Sequence, residues 1–154
     1  MKHKLSTILL CACCLLSCNT TKFVPQGQLL LNDVKVKVED NKNIPPSDLM
    51  KYVQQKPNTE ILGFWKLQLD IYNTASEDTT KWTSKNARKI GEPPVIFSSE
   101  LTDASQAQLQ RAMQNKGYFN AEIDTTVAVK KRKINLVYHV TANEPYMIGQ
   151  YNVE

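Results

Sequence analysis

The sequence predicts an α+β fold in which three strands and two helices follow the order β-α-α-β-β, with a further segment inserted between the helices. Three observations carry that prediction. Val34, Val36 and Val38 alternate with Lys35, Lys37 and Glu39, the period of a strand with one face buried and one in water. Leu109, Ala112 and Met113 recur at i, i+3, i+4, the stripe of an amphipathic helix. After Gly117, two runs alternate again: Ala121, Ile123, Val127 and Val129, then Ile134, Leu136, Tyr138 and Val140.

The chain opens with Lys2, His3 and Lys4, followed by an almost wholly apolar run from Leu5 to Leu16. That run is too short to span a bilayer as a helix and has the layout of a secretory signal. It ends Leu15-Leu16-Ser17-Cys18, which resembles the bacterial lipobox, where a small residue precedes a cysteine that is lipidated and becomes the mature N-terminus. Position, flanks and the small residue agree, which favours this reading over an ordinary signal peptide with a chance cysteine. Residues 1–17 are thus expected to be a lipoprotein signal peptide and Cys18 the lipidation site. All four cysteines (Cys11, Cys13, Cys14 and Cys18) lie at or before that point, so the remainder can hold neither a disulfide framework nor a cysteine metal site. Of the 19 Lys and Arg residues, the signal takes Lys2 and Lys4, leaving 17 against 15 acids, or +2. Nothing in that balance calls for a nucleic-acid partner.

Residues 18–28 are polar, with Pro25 and Gly27, and read as a tether. Leu29 to Glu39 is the first strand, whose lysines discourage edge pairing with unwanted chains. Asn41 to Pro46 is a turn, and Ser47 is expected to cap a short helix carrying Leu49, Tyr52 and Val53, with Pro57 ending it. From about residue 58 to 97 runs the insertion. Ile61 to Tyr72 fits a helix through Leu62, Trp65, Leu69 and Tyr72 and a strand through Trp65, Leu67, Leu69 and Ile71; helix is preferred. Asn73 to Thr83 reads as a loop, Trp82 to Ile90 as helical, and Gly91-Glu92-Pro93-Pro94 as a break. Two tryptophans, Trp65 and Trp82, stand in this insertion and are candidates for membrane or partner contact, since indole rings favour the headgroup region. The plainer reading is that they cover an apolar face of the domain.

The last helix is expected from Thr102 to Lys116, with Thr102 or Asp103 as its N-cap and Gly117 as its left-handed stop. Lys130-Lys131-Arg132-Lys133 is the turn between the two final strands, because four like charges belong in water.

This order resembles the polypeptide-transport-associated (POTRA) domain. The residues that carry the resemblance are Gln114-Asn115-Lys116-Gly117-Tyr118-Phe119-Asn120-Ala121, the two following strands, and the exit Glu144-Pro145-Tyr146-Met147-Ile148, with Asn143 where a glycine is common. Cys18 with Lys22-Phe23-Val24-Pro25, Lys56-Pro57-Asn58 with Ile61-Leu62-Gly63-Phe64, and Ile90 to Ile96 are similar to lipidated Omp85-family (BamA/TamA-like) translocation and assembly module proteins of Bacteroidetes. The resemblance implies a three-stranded mixed sheet covered on one face by two helices, spanning residues 29–143. It also implies that residues 144–154 begin a following POTRA domain, so that the chain is the N-terminal portion of a longer protein. In that fold the Ile134–Val140 strand is central and the Asn120–Val129 strand lies at an edge.

Enzymatic chemistry finds no support in the sequence. His139 is the one histidine beyond the signal and falls on the parity opposite Leu136 and Tyr138; Asp103, Glu122 and Asp124 form no recognisable acid/base pair. No phosphate-binding glycine loop or metal-ligand spacing occurs, and no cofactor is expected. Binding through backbone remains. An unpaired edge offers N–H and C=O groups to any extended peptide, and Glu122, Asp124, Thr126 and Ala128 face away from the helices beside it. Lys130, Lys131, Arg132 and Lys133 are further candidates for meeting phospholipid headgroups or a partner. The resemblance implies a module anchored to the outer membrane and facing the periplasm, whose partners are unfolded outer-membrane proteins or other envelope assembly subunits. The alternative is a stand-alone scaffolding lipoprotein of an envelope complex without a barrel.

Overall fold

The structure is a computed structural model that describes residues 20–147 and 149; the signal region and Cys18 lie outside the described residues, as do Ile148 and residues 150–154. The chain divides into two compact units. One comprises Val24–Asn58 and the chain from Pro94 onward; the other comprises the residues up to Phe23 together with Thr59–Pro93.

The first unit is the α+β body. Strand β1 (Leu30–Val38), helix α1 (Pro46–Met50), helix α4 (Ser99–Asn115), strand β2 (Glu122–Lys130) and strand β3 (Lys133–Thr141) occur in that order. The sheet runs β1-β3-β2, with β1 parallel to β3 and β2 antiparallel to it. The parallel pairing requires a long crossover, and everything between β1 and β3 supplies it. The core is one cluster in which Val34 and Val36 of β1, Leu49 of α1, Leu109 and Met113 of α4, and Ile134, Leu136, Tyr138 and Val140 of β3 are all buried. The alternating residues of β3 are thus all inside, as their parity predicts.

Helix α4 begins a turn earlier than the sequence suggested. Ser98, not Thr102 or Asp103, is the N-cap: its Oγ accepts from Leu101 N at 3.2 Å, and Thr102 instead donates its hydroxyl to Ser98 O at 2.9 Å from inside the helix. The apolar stripe alone marks the helix one turn too late, because its first turn carries no apolar residue of that stripe. The other end is as expected. Gly117 takes φ +92, Tyr118 N donates to Met113 O and Gly117 N donates to Gln114 O, the paired bonds of a Schellman stop.

Helix α1 also differs in its cap. Pro45 holds that position without a side-chain bond, Ser47 lies inside the first turn, and the helix ends at Met50, well before Pro57. Beyond it the chain is irregular up to Asn58 and is held by buried amides. Gln55 donates to Ile96 O and accepts from Ser98 N at 3.2 Å, and Asn58 Oδ1 accepts from Val95 N at 3.1 Å. These bonds clamp the two ends of the insertion together, so the excursion between them leaves the body closed.

The second unit contains helix α2 (Leu67–Thr74) and helix α3 (Trp82–Ile90). The helix expected across Ile61–Tyr72 is therefore displaced toward its C-terminal end. Ile61 and Trp65 pair as an isolated bridge around a tight loop in which Leu62 and Gly63 both have positive φ. Of the four residues proposed for its apolar face, Leu69 is buried while Leu62 and Trp65 are exposed. Lys22 Nζ donates to the carbonyls of Asn73 (3.1 Å) and Ala75 (2.6 Å), a cation placed at a helix C-terminus. Phe23 meets Tyr72 edge-to-face at 5.5 Å, with the Arg88 guanidinium 5.0 Å from the Phe23 ring. Gly91 is required by close approach: a Cβ there would lie 2.5 Å from Tyr72 N.

Candidate functional site

A two-residue loop, Lys131-Arg132, joins β2 to β3, with Lys131 at φ +56. Such a hairpin closes on a hydrogen-bonded pair, here Lys130 with Lys133, and bonded and non-bonded pairs then alternate along the ladder. The backbone groups of Glu122, Asp124, Thr126 and Ala128 are therefore spent on β3. Those of Ile123, Thr125, Val127 and Val129 point out from the sheet. Two bonds agree: Gln110 Nε2 donates to Ala121 O and Gln106 Nε2 donates to Ile123 O, both at 2.7 Å. On the other flank Glu39 N donates to Val140 O, as the same alternation requires.

This parity refines the sequence reading. Glu122, Asp124, Thr126 and Ala128 do present exposed side chains on the face away from the helices. The groups that could bind an added strand belong to their odd-numbered neighbours. Helix α4 closes the first part of that edge with its glutamines. From Thr125 to Val129 the edge is open, since among the described residues no strand pairs with the outer side of β2. The valines expected to share the core parity of Ile123 are not covered: Val127 is 46% and Val129 57% exposed. The two side chains form an apolar floor beside the free backbone. A groove of about 360 Å³, lined by Asp103, Gln106, Ala107 and Gln110, runs along α4 next to this edge.

The sheet has a second edge at β1. Its start is occupied, because Leu31 N donates to Val95 O and Phe97 N donates to Leu29 O. Farther along, Val34 and Val36 are already buried, and a groove of about 260 Å³ runs beside them, lined also by Pro46 and Met50.

The basic turn separates into two parts. Arg132 donates to the carbonyls of Val24 and Pro25, both at 2.7 Å, and ties the incoming chain to the hairpin. Lys130, Lys131 and Lys133 line a cleft of about 240 Å³ with Asn32 and Asn135. His139 lies on the solvated sheet face with Nδ1 2.6 Å from Glu39 Oε1. Among the described residues no cluster of His, Cys, Asp or Glu is disposed to hold a metal ion, and no helix is long and apolar enough to cross a membrane.

At the exit, Asp40 accepts from Ala142 N and Asn143 N, both at 2.8 Å, and these bonds, led by that from Ala142, hold its carboxyl below the ordinary range. Asn143 adopts φ +56, a conformation asparagine tolerates, and donates to Asn120 O at 2.7 Å. It fills the place where the resemblance called for glycine. Tyr146 folds back, its N–H donating to Gly117 O and its ring meeting Phe119 edge-to-face at 5.4 Å.

A three-stranded mixed sheet under two helices, with an open run on the β2 edge, is an arrangement that can take up an extended polypeptide. The family model for POTRA, described as a surface antigen variable number repeat, matches residues 34–143. The chain belongs to the POTRA family, whose domains bind polypeptide partners. No curated protein matches the chain.

Proposed function

We propose that this chain is the lipid-anchored, periplasm-facing POTRA module of an Omp85-type outer-membrane assembly factor, and that it binds unfolded client or partner polypeptides as an added strand on β2. The observation that carries the reading is the open run from Thr125 to Val129, where outward backbone groups lie beside two uncovered valines. Backbone pairing accepts any extended sequence, and the valine floor favours segments with apolar side chains at alternate positions. Strands of an outer-membrane barrel have that pattern. The lipobox at Cys18 supports the anchor.

Each half has its own test. A clickable fatty acid should label the chain and be lost in Cys18→Ala; label retained by the variant sinks the anchor. A photo-crosslinking residue at Val129 should capture nascent barrel proteins in cells, while one at His139, on the open sheet face, should not. Equal capture at both positions, or none at Val129, contradicts augmentation on β2.

A further inference from the structure

The loop closed by Ile61 and Trp65 is built against ordinary loop chemistry. The two residues exchange backbone hydrogen bonds (Ile61 N to Trp65 O at 2.8 Å, Trp65 N to Ile61 O at 3.1 Å) around Leu62-Gly63-Phe64. Leu62 is held at φ +58, a left-handed conformation that asparagine or glycine adopts with far less strain. Its side chain is nevertheless 79% exposed and that of Phe64 77%. Strain and exposed apolar surface coincide, so the leucine serves neither the turn nor the core. Trp65 is amphipathic in place, its ring partly exposed and its Nε1 donating to Asp70 Oδ2 at 3.1 Å.

In the same unit α3 shows a second device of this type. Trp82 (76% exposed) and Ile90 stand eight residues apart on one helical stripe, and the exposed Lys81, Lys85 and Lys89 form the neighbouring stripe. The helix itself contains no acidic residue.

The chain itself selects the occupant. Lys22 and Phe23 are built into this unit by the bonds to Asn73 and Ala75 and by the Tyr72 and Arg88 stacking. Three residues separate Lys22 from Cys18, four residue steps that span at most about 14 Å even fully extended. We propose that the unit formed by Thr59–Pro93 sits on the bilayer that holds Cys18, with Leu62, Phe64 and the two indoles at the headgroup boundary and the α3 lysines on anionic headgroups. This rests on the anchor reading of Cys18. It adds a second membrane contact made by the protein itself. Aromatic and leucine side chains beside lysines suit that boundary, and a single lipid attachment gains retention from a second weak one.

Trp65 and Trp82 are the only tryptophans in the chain, so their fluorescence reports on this unit alone. The acylated chain, and its processed counterpart beginning at residue 18 with Cys18→Ala, are mixed with phosphatidylethanolamine–phosphatidylglycerol vesicles whose acyl chains carry bromine. The acylated chain should lose tryptophan fluorescence relative to the same vesicles without bromine. Leu62→Asn should reduce that loss while leaving thermal stability equal or higher, because asparagine relieves the positive φ. Phe64→Ser should weaken vesicle partition roughly tenfold. Quenching in both chains, or confined to the acylated one, upholds the contact. Quenching in neither overturns it, and so does a Leu62→Asn variant that is quenched fully. The mass of Cys18 decides the anchor separately: an unmodified Cys18 with quenching in the processed chain refutes the anchor and leaves the surface standing.

Discussion

Two proline substitutions at adjacent residues of β2 should have opposite consequences. The N–H of Thr126 is spent on β3, where Val137 is its partner residue, whereas that of Val127 points to the open edge. Thr126→Pro removes a ladder bond, orphans an acceptor and forces the ring toward a neighbouring strand, a loss of about 3 kcal/mol or more. For a domain of this size that lowers Tm by roughly 10 °C. Val127→Pro removes only an edge donor and part of a side chain already 46% exposed. Proline is tolerated at such edge positions, and the change should stay within about 1 kcal/mol. For an incoming strand the ranking reverses. Val127→Pro denies it a donor and leaves its carbonyl unpaired, which should weaken binding about tenfold or more. The assay pairs thermal unfolding of the full chain with fluorescence anisotropy of a labelled ten-residue peptide of alternating apolar and polar residues. Val127→Pro that unfolds as readily as Thr126→Pro refutes the assignment of edge and ladder residues. Val127→Pro that keeps both its Tm and its peptide affinity refutes the edge as the binding surface.

The same geometry sets other outcomes. Gln106→Ala should cost about 1 kcal/mol by stripping the cap from Ile123 O, and should tighten peptide binding by lengthening the open edge, read by denaturant unfolding and anisotropy. Leu109→Ala, at a fully buried position in the core cluster, should lose about 2–5 kcal/mol in the same unfolding assay. Gly117→Ala must hold φ +92 with a Cβ and should lose roughly 1–2 kcal/mol without altering peptide affinity. Asp40 has a depressed folded pKa, so its contribution is present above the ordinary carboxylate pKa and is lost as pH falls below about 4. Thermal unfolding of Asp40→Asn against the parent should differ at neutral pH and converge in acid.

Much of the body was legible because its signals are periodic. The alternating valines of β1, the alternation of β3 and the Gly117 stop each determine local structure by themselves, and the sheet order came from the POTRA resemblance. What escaped depends on reach. Val127 and Val129 carry the parity of Ile123 yet stay uncovered, and no periodicity encodes which residues of a strand a helix shades. The even-numbered residues of β2 were identified by side-chain direction, but the working groups are the backbone of the odd ones, and that parity is set by loop length. The insertion was harder still. Its Ile61–Tyr72 run is apolar because part of it is displayed, and a pattern that assumes burial misplaces the helix.

Amide hydrogen exchange, monitored residue by residue with and without the ten-residue peptide, distinguishes an added strand on β2 from any other mode of binding. An added strand should slow Thr125, Val127 and Val129 while leaving Asp124, Thr126 and Ala128, already bonded to β3, as they were. Protection that ignores this alternation, or that falls on Val34 and Val36 of β1 instead, would contradict augmentation on β2.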